Sequence, residues 1–199
     1  MYKRFVKRGL DIVFSLLILI LGAPILLILA LAVRLDSEGP ALFRQERIGL
    51  NGKTFEIYKF RTMVLNAEYT GTGVYSYKND NRVTKVGRFL RASSLDELTQ
   101  AINILKGDMS FIGPRPPLTY HPWDYSEYTQ EQLRMFEVRP GITGWAQVNG
   151  RKGLQWPRRI EFNVWYVDHV SFLLDLKILL LTIGKVLINA DNENTGTTV

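Results

Sequence analysis

An apolar run from Ile12 to Val33, 22 residues interrupted only by Ser15, Gly22 and Pro24, constrains this 199-residue chain more than anything else in it. As one straight helix it would measure roughly 33 Å, enough to cross the hydrocarbon core of a bilayer. The chain is therefore expected to be a membrane protein. A secretory signal is the first alternative, and Ala30-Leu31-Ala32 has the form of a cleavage site, but the apolar core exceeds the usual length of roughly 7–15 residues. Two features argue against a plain spanning helix. Pro24 lies near the middle, where it removes a helix hydrogen bond and clashes with the preceding turn. Basic residues flank both ends, with Lys3, Arg4, Lys7 and Arg8 before the run and Arg34, Arg44 and Arg47 after it. Such flanks favour the cytoplasmic side. A segment with both ends inside dips in and returns, so residues 1–35 are expected to form a re-entrant helix broken in the middle, with a kinked crossing as the alternative.

From Ala41 to Met63 the pattern changes to alternating β-branched and aromatic residues on either side of Gly49-Leu50-Asn51-Gly52, which predicts a two-stranded hairpin. Gly52-Lys53-Thr54 resembles the tail of a Walker P-loop, but Arg47 stands where its first glycine should be. Lys59 and Arg61 alternate with Tyr58 and Phe60 and share a strand face from which they could reach a phosphate; a solvated face is the plain alternative. The polar stretch from Asn66 to Asn81 reads as a loop of a length that is either mobile or functional. Arg82, Lys85, Arg88 and Arg91 then recur every third residue beside Val83, Val86, Phe89 and Leu90. They predict a basic amphipathic helix that lies on anionic lipid or near a substrate's phosphates.

Ser93 to Pro117, SSLDELTQAINILKGDMSFIGPRPP, is where the chemistry gathers. Ser93 or Ser94 can start a helix along which Leu95, Leu98, Ile102 and Leu105 recur, closed by Lys106-Gly107. Asp96 and Glu97 then fall in the first turn, where free N–H groups and the helix dipole favour negative charge. From there both carboxylates can reach one point holding a metal ion and a phosphate. The alternative is a capping box in which Glu97 only bonds back to the Ser94 N–H. In Gly113-Pro114-Arg115-Pro116-Pro117 the prolines stiffen the backbone around Arg115, and a guanidinium so held suits bidentate phosphate binding. A solvated surface turn is the rival reading.

Farther on, Thr129 starts a short helix with Glu131 in its first turn, and VRPGITGWAQVNGR, Val138 to Arg151, sets four glycines between Arg139 and Arg151. Such a loop is either a phosphate cradle or a turn-rich connector. From Trp156 to Ile188 aromatics and aliphatics dominate; Asp175, Lys177, Thr182 and Lys185 give one polar side. These helices are expected to lie in the membrane interface, with Trp and Tyr at headgroup depth, a buried core helix being the alternative. The tail from Asn189 is polar and expected to be disordered.

The chain has no cysteine and two isolated histidines, His121 and His169, so disulfides, thiolate metal sites and a zinc cluster are excluded. A formal net charge of +6 calls for an anionic partner without choosing among nucleic acid, acidic membrane and phosphorylated substrate.

Together the broken apolar helix, FEIYKFRTM, SLDEL, LKGDMSFIGPRP, VRPGITGWAQVNGR and SFLLDLKIL closely resemble the bacterial monotopic phosphoglycosyl transferases, small sugar transferases that start glycan assembly. The resemblance spans essentially the whole chain. It implies an α+β fold, with a re-entrant membrane helix over residues 1–35, a cytoplasmic membrane-associated catalytic domain over 36–190 with a short hairpin and interfacial amphipathic helices, and a polar tail over 191–199. It implies transfer of a sugar 1-phosphate from a UDP-sugar to a polyprenyl (undecaprenyl) phosphate at the cytoplasmic face of the bacterial inner membrane, releasing UMP. Asp96 matches the family's nucleophile and binds Mg2+, Glu97 is its partner, Arg115 matches the phosphate-binding arginine, and Arg151 is a further basic residue; Lys59 and Arg88 are added as phosphate contacts. Glu97 either orients the metal or accepts a proton. Small members often carry Ser-Pro at the membrane break where this chain has Ala23-Pro24. Membrane lipid is an expected partner and nucleic acid is not, and the apolar C-terminal region is suited to pairing subunits in a homodimer. A metal-dependent glycosyltransferase releasing UDP is the nearest rival, though no Asp-x-Asp occurs; a membrane-tethered anion-binding module is the next.

Overall fold

Gly22 is where the long apolar run gives way. In a computed structural model that describes residues 1–77, 79–150 and 154–187, helix α1 (Lys7–Leu21) and helix α2 (Ala23–Asp36) meet there at a bend of 65°. Pro24 stands in the first turn of α2, where its missing N–H removes no helix bond. The two helices measure about 22 and 21 Å, so neither reaches across a bilayer core of about 30 Å. No single described helix is long and apolar enough to cross a membrane.

Both outer ends of the bent pair are tied to the same body of the protein. At the start of α1, Lys7 ion-pairs with Asp175, the Arg8 guanidinium donates to the carbonyls of Ile104 and Leu105, and the Asp11 carboxylate accepts from Ser110 Oγ and the Phe111 N–H. At the end of α2, Arg61 donates to the carbonyls of Val33 and Ser37, and Leu29 and Val33 pack against Phe60 and Leu90. Lys3 and Arg61 both serve as structural donors: Lys3 bonds the Val167 carbonyl, and the buried Arg61 holds the end of α2. Toward the bend, Phe14, Leu17, Ile20, Leu21, Leu27 and Ile28 are exposed.

The predicted hairpin is present, with strand β1 (Leu42–Ile48) antiparallel to β2 (Thr54–Phe60) and Leu42 opposite Phe60. Its turn needs left-handed backbone at Asn51 (φ 53°) and Gly52 (φ 77°), and a Cβ on Gly52 would strike the Tyr125 ring. Among the described residues the outer edge of β2 has no third strand. Asn103 serves instead, its Oδ1 accepting from the Tyr58 N–H at 2.9 Å and its Nδ2 donating to the Glu56 carbonyl at 2.6 Å, while Thr99 Oγ1 donates to the Tyr58 carbonyl. A buried polar stripe on the helix thus satisfies a strand edge.

Helix α3 (Lys85–Ser93) carries only part of the expected basic face. Lys85 and Arg88 point outward, but Arg91 turns in to Thr62 and Ser76. Arg82 lies before the helix and gathers the preceding loop, donating to the carbonyls of Ala67, Thr70 and Gly73 and pairing with the buried Asp80. The next segment also departs from expectation. Ser94 is left-handed (φ 57°) and makes no side-chain cap, residues Leu95–Gln100 wind as a 3₁₀ helix, and α4 (Ala101–Lys106) follows, closing at Gly107 (φ 93°). Buried there are Thr99, Gln100, Asn103 and Ile104, not the leucine stripe, because the strand edge needs donors and acceptors.

Strand β3 (Ser110–Ile112) pairs in parallel with β4 (Gly141–Thr143), a second small sheet that the sequence pattern did not reveal. Helix α5 (Gln130–Leu133) starts at a Thr129 capping box, as its sequence predicts. Helices α6 (Trp145–Val148), α7 (Trp156–His169) and α8 (Phe172–Leu187) complete the described chain. Of the polar residues of α8, Asp175 and Thr182 face inward, Asp175 bonding Tyr2, Lys7 and Tyr166 and Thr182 bonding Thr143, next to the fully buried Ile178. Lys177 does not share that side and is exposed, as are Phe172, Leu173, Leu176, Leu180 and Ile183. Tyr166 is buried, whereas Trp165, stacked between Trp145 and His169, keeps an exposed face. The tail from Asn189 lies outside the described residues.

Candidate active site

Lys59, the penultimate residue of β2, faces the 3₁₀ turn that Asn103 and Thr99 hold against that strand. Its ammonium lies 2.6 Å from Glu97 Oε1, with both side chains mostly buried. The Glu97 carboxylate therefore answers to Lys59 and does not close a capping box on Ser94. Asp96, beside it, is half-buried. Burial, reinforced by Glu97, raises its carboxyl to about 6, against the pull of Lys59 and Arg91. The dipole argument, which would hold both acids low, is outweighed by loss of solvent at Asp96.

These groups open into a cleft of about 940 Å³. Arg115 reaches it from the proline segment, which is clamped on two sides. The Pro117 carbonyl accepts from the Ile48 N–H on the free edge of β1, and the Arg47 guanidinium donates to the Pro116 carbonyl. On the other side the backbone of Gly113 touches β4 so closely that a Cβ there would lie 2.3 Å from the Arg139 carbonyl oxygen. Arg115 is presented by a braced loop, as the prolines predict.

Of the six residues singled out from the sequence, Asp96, Glu97, Lys59, Arg88 and Arg115 line this one cleft. Arg151 lies outside the described residues. Arg139 does not join it as half of a cradle: its Nε donates to the Gly107 carbonyl and completes the end of α4. The loop from Asn66 to Asn81 contributes Tyr75 to the lining, and the segment from Pro117 to Tyr128 contributes Leu118 and His121. Sequence reasoning missed Arg47, Arg159 and Gln147, which also line the cleft. Arg47 sits in an alternating strand and Arg159 in an amphipathic helix, where nothing local distinguishes a ligand-facing arginine from a solvated one. Gln147 carries a different mark, since both ends of its carboxamide are buried with no hydrogen-bond partner.

Ile18 of α1, Phe111, Ile142 and Val186 of α8 also line the cleft, so charged and apolar side chains share its wall beside the exposed helices. Among the described residues no group of three His, Asp or Glu side chains forms a closed metal cage. An adjacent pair of carboxylates, one of them already held by a lysine, fits an ion such as Mg2+ that takes one or two protein oxygens and completes its shell with water and substrate phosphate.

The model of the bacterial sugar transferase family matches residues 2–189. An uncharacterized sugar transferase, EpsL, of Bacillus subtilis (strain 168) is 46% identical over 191 residues, covering 96% of this chain and 91% of that protein. The UDP-glucose:undecaprenyl-phosphate glucose-1-phosphate transferase of Escherichia coli (strain K12) is 44% identical over 94% of this chain. The undecaprenyl-phosphate galactose phosphotransferase of Salmonella typhimurium is 39% identical over 95% of it. The chain spans 41% and 42% of the length of those last two relatives.

Proposed function

This chain belongs to the bacterial sugar transferase family, and on that premise we propose that it transfers a sugar 1-phosphate from a UDP-sugar to undecaprenyl phosphate, releasing UMP. The observation that carries the reading is the half-buried Asp96 carboxylate beside the Lys59–Glu97 pair, in a cleft lined both by cations and by apolar side chains of α1 and α8. Relatives named for transfer of glucose 1-phosphate or galactose phosphate to the same lipid carrier support the substrate class.

In the first step an Asp96 oxygen attacks the β-phosphorus of the UDP-sugar. A bond forms from that oxygen to phosphorus, the bond to the bridging oxygen breaks, and UMP leaves with the electron pair. In the second step a phosphate oxygen of the lipid attacks the same phosphorus and the Asp96 carboxylate is regenerated. Splitting the transfer lets a soluble and a membrane-borne substrate use one nucleophile in turn. Phosphoryl transfer is mainly positioning and charge neutralisation, and Lys59, Arg88 and Arg115 face the cleft to supply it. Asp96, with Glu97 behind it, would hold a magnesium ion, which supplies further neutralisation of the pyrophosphate when bound. Glu97, oriented by Lys59, is placed either to steady that ion or to take the proton of the incoming lipid phosphate.

The bent pair reads as re-entrant, at the cytoplasmic face of the inner membrane. Attachment of both its ends to one body supports this over a crossing, which would separate them by a bilayer. The exposed apolar sides of α1, α2 and α8 supply the surface that lipid would cover.

The test is the nucleotide released when the purified protein, magnesium and undecaprenyl phosphate meet a panel of UDP-sugars. UMP is expected, with Asp96→Asn lowering turnover by roughly 10³-fold or more. Release of UDP would mean that the broken bond is the sugar's C–O, and the mechanism would fall.

A further inference from the structure

Three guanidiniums share the cleft with Asp96. Arg47 comes from β1, Arg115 from the proline loop and Arg159 from the first turn of α7. Arg47 donates only to neutral acceptors, the Pro116 carbonyl and Gln45 Oε1, and its Nε is buried without a partner. Neither Arg47 nor Arg115 ion-pairs with a carboxylate among the described residues. Burial first, and Arg115 next, lower Arg47 to about 9 and Arg159 to about 10. Like charges gathered in a partly dry cleft repel one another, and an anion of at least two charges relieves them.

Next to these cations stands a set of rings. His121 lies between Tyr75 and Trp156, with ring centroids 5.3 and 5.5 Å away, and the Tyr75 hydroxyl hydrogen-bonds His121 Nε2. The Arg159 guanidinium sits over Trp156, 4.5 Å from its centroid. Burial, with Arg47 and Arg159 adding to it, lowers the His121 pKa and favours the neutral imidazole. Arg115 acts on both other arginines, and Arg47 also feels Glu97. The charges therefore run from the catalytic pair through Arg47 and Arg115 to Arg159 and the rings.

We propose that this lobe is the nucleotide subsite, in which Arg47, Arg115 and Arg159 take the phosphate oxygens of a nucleoside diphosphate and the Trp156 and His121 rings take the face of its base. The assignment rests on the reading of Asp96 as nucleophile toward a nucleotide sugar, since it places the base away from the attacked phosphorus. A π-platform joined to a fork of guanidiniums suits a base carrying phosphates. A polyprenyl chain would instead seek the apolar lining at Ile18 and Phe111.

The test is calorimetric titration of UMP, UDP and glucose 1-phosphate into the full chain in lipid nanodiscs, for the unmutated protein and for Trp156→Leu, Trp156→Phe and Arg159→Gln, each with its melting temperature. Base stacking on an aromatic ring accounts for roughly 1–3 kcal/mol, so Trp156→Leu should weaken UMP about tenfold or more. Trp156→Phe should restore most of it, Arg159→Gln should weaken UDP more than UMP, and glucose 1-phosphate should not respond to Trp156. In turnover, Trp156→Leu should raise the KM for the donor with kcat nearly unchanged. Unchanged UMP affinity in a folded Trp156→Leu protein would overturn the subsite. So would a loss confined to UDP-sugar with UMP unaffected, which would assign the rings to the sugar. Ring-dependent UMP binding alongside UDP as the reaction product would sink the mechanism and leave the subsite standing.

Discussion

The Lys59 ammonium and the Glu97 carboxylate, 38 residues apart, meet at 2.6 Å where the end of strand β2 crosses the 3₁₀ turn carrying Asp96. The pair is mostly buried, so removing one member leaves an uncompensated charge next to the candidate nucleophile. Lys59→Met should destabilise the protein by about 1–3 kcal/mol and lower turnover beyond that loss. Lys59→Met with Glu97→Gln should cost less than the two single changes added. Denaturant melts of the four proteins give the coupling, and strict additivity would mean the ion pair contributes nothing.

The bend at Gly22 carries a topological prediction. The chain has no cysteine, so a single one is a clean probe. Gly9→Cys lies on α1 where a Cβ meets nothing within 4 Å, and Glu38→Cys lies just beyond α2. An impermeant maleimide should label both in inverted membrane vesicles and neither in intact cells. Labelling from opposite sides would establish a kinked crossing.

Asp80 and Arg82 predict a pH dependence for the loop before α3. The Arg82 hydrogen bond is the largest influence on the Asp80 carboxyl and holds it below its ordinary value. A depressed folded pKa contributes stability that is present above the unfolded value of about 3.9 and is lost as pH falls through the folded one. The difference in melting temperature between the unmutated protein and Asp80→Asn should be constant from neutral pH down to about 5, then shrink below about 4. Proteolysis between residues 66 and 81 should be faster in Asp80→Asn at neutral pH. A difference that grew on acidification would reverse the sign of this account.

Gln147 predicts a conflict between stability and function. Its carboxamide has two buried, unpartnered atoms facing the cleft, a cost of about 1–3 kcal/mol that a bound substrate would relieve. Gln147→Leu should raise the melting temperature of the free protein and raise the KM for the sugar nucleotide. A melting temperature that fell would place an unseen partner on that side chain in the free state.

Local features survived the passage to three dimensions. The break in the apolar run, the hairpin around Asn51-Gly52, the capped start at Thr129 and the stop at Gly107 are all readable in the sequence, because each depends on neighbours a few residues away. The Asp96–Glu97 pair and the braced Arg115 were legible for the same reason, acidic residues at a turn and prolines around an arginine.

The fate of each other charge was decided by tertiary structure. Arg61, Arg82, Arg91 and Arg139 look as available for phosphate as Arg115, yet each is spent on groups of the protein itself. Arg47 and Arg159 look ordinary and face the cleft. Asn103 completes a strand edge, and α8 turns Asp175 inward and leucines out. A buried carbonyl or carboxylate must be matched by whichever donor the fold brings near, and that donor can stand a hundred residues away. The sequence by itself determined where the chain bends, turns and stops and which acids stand together at a turn; only the folded structure decided which cations face the cleft, because that choice is left to whatever the backbone has not already claimed.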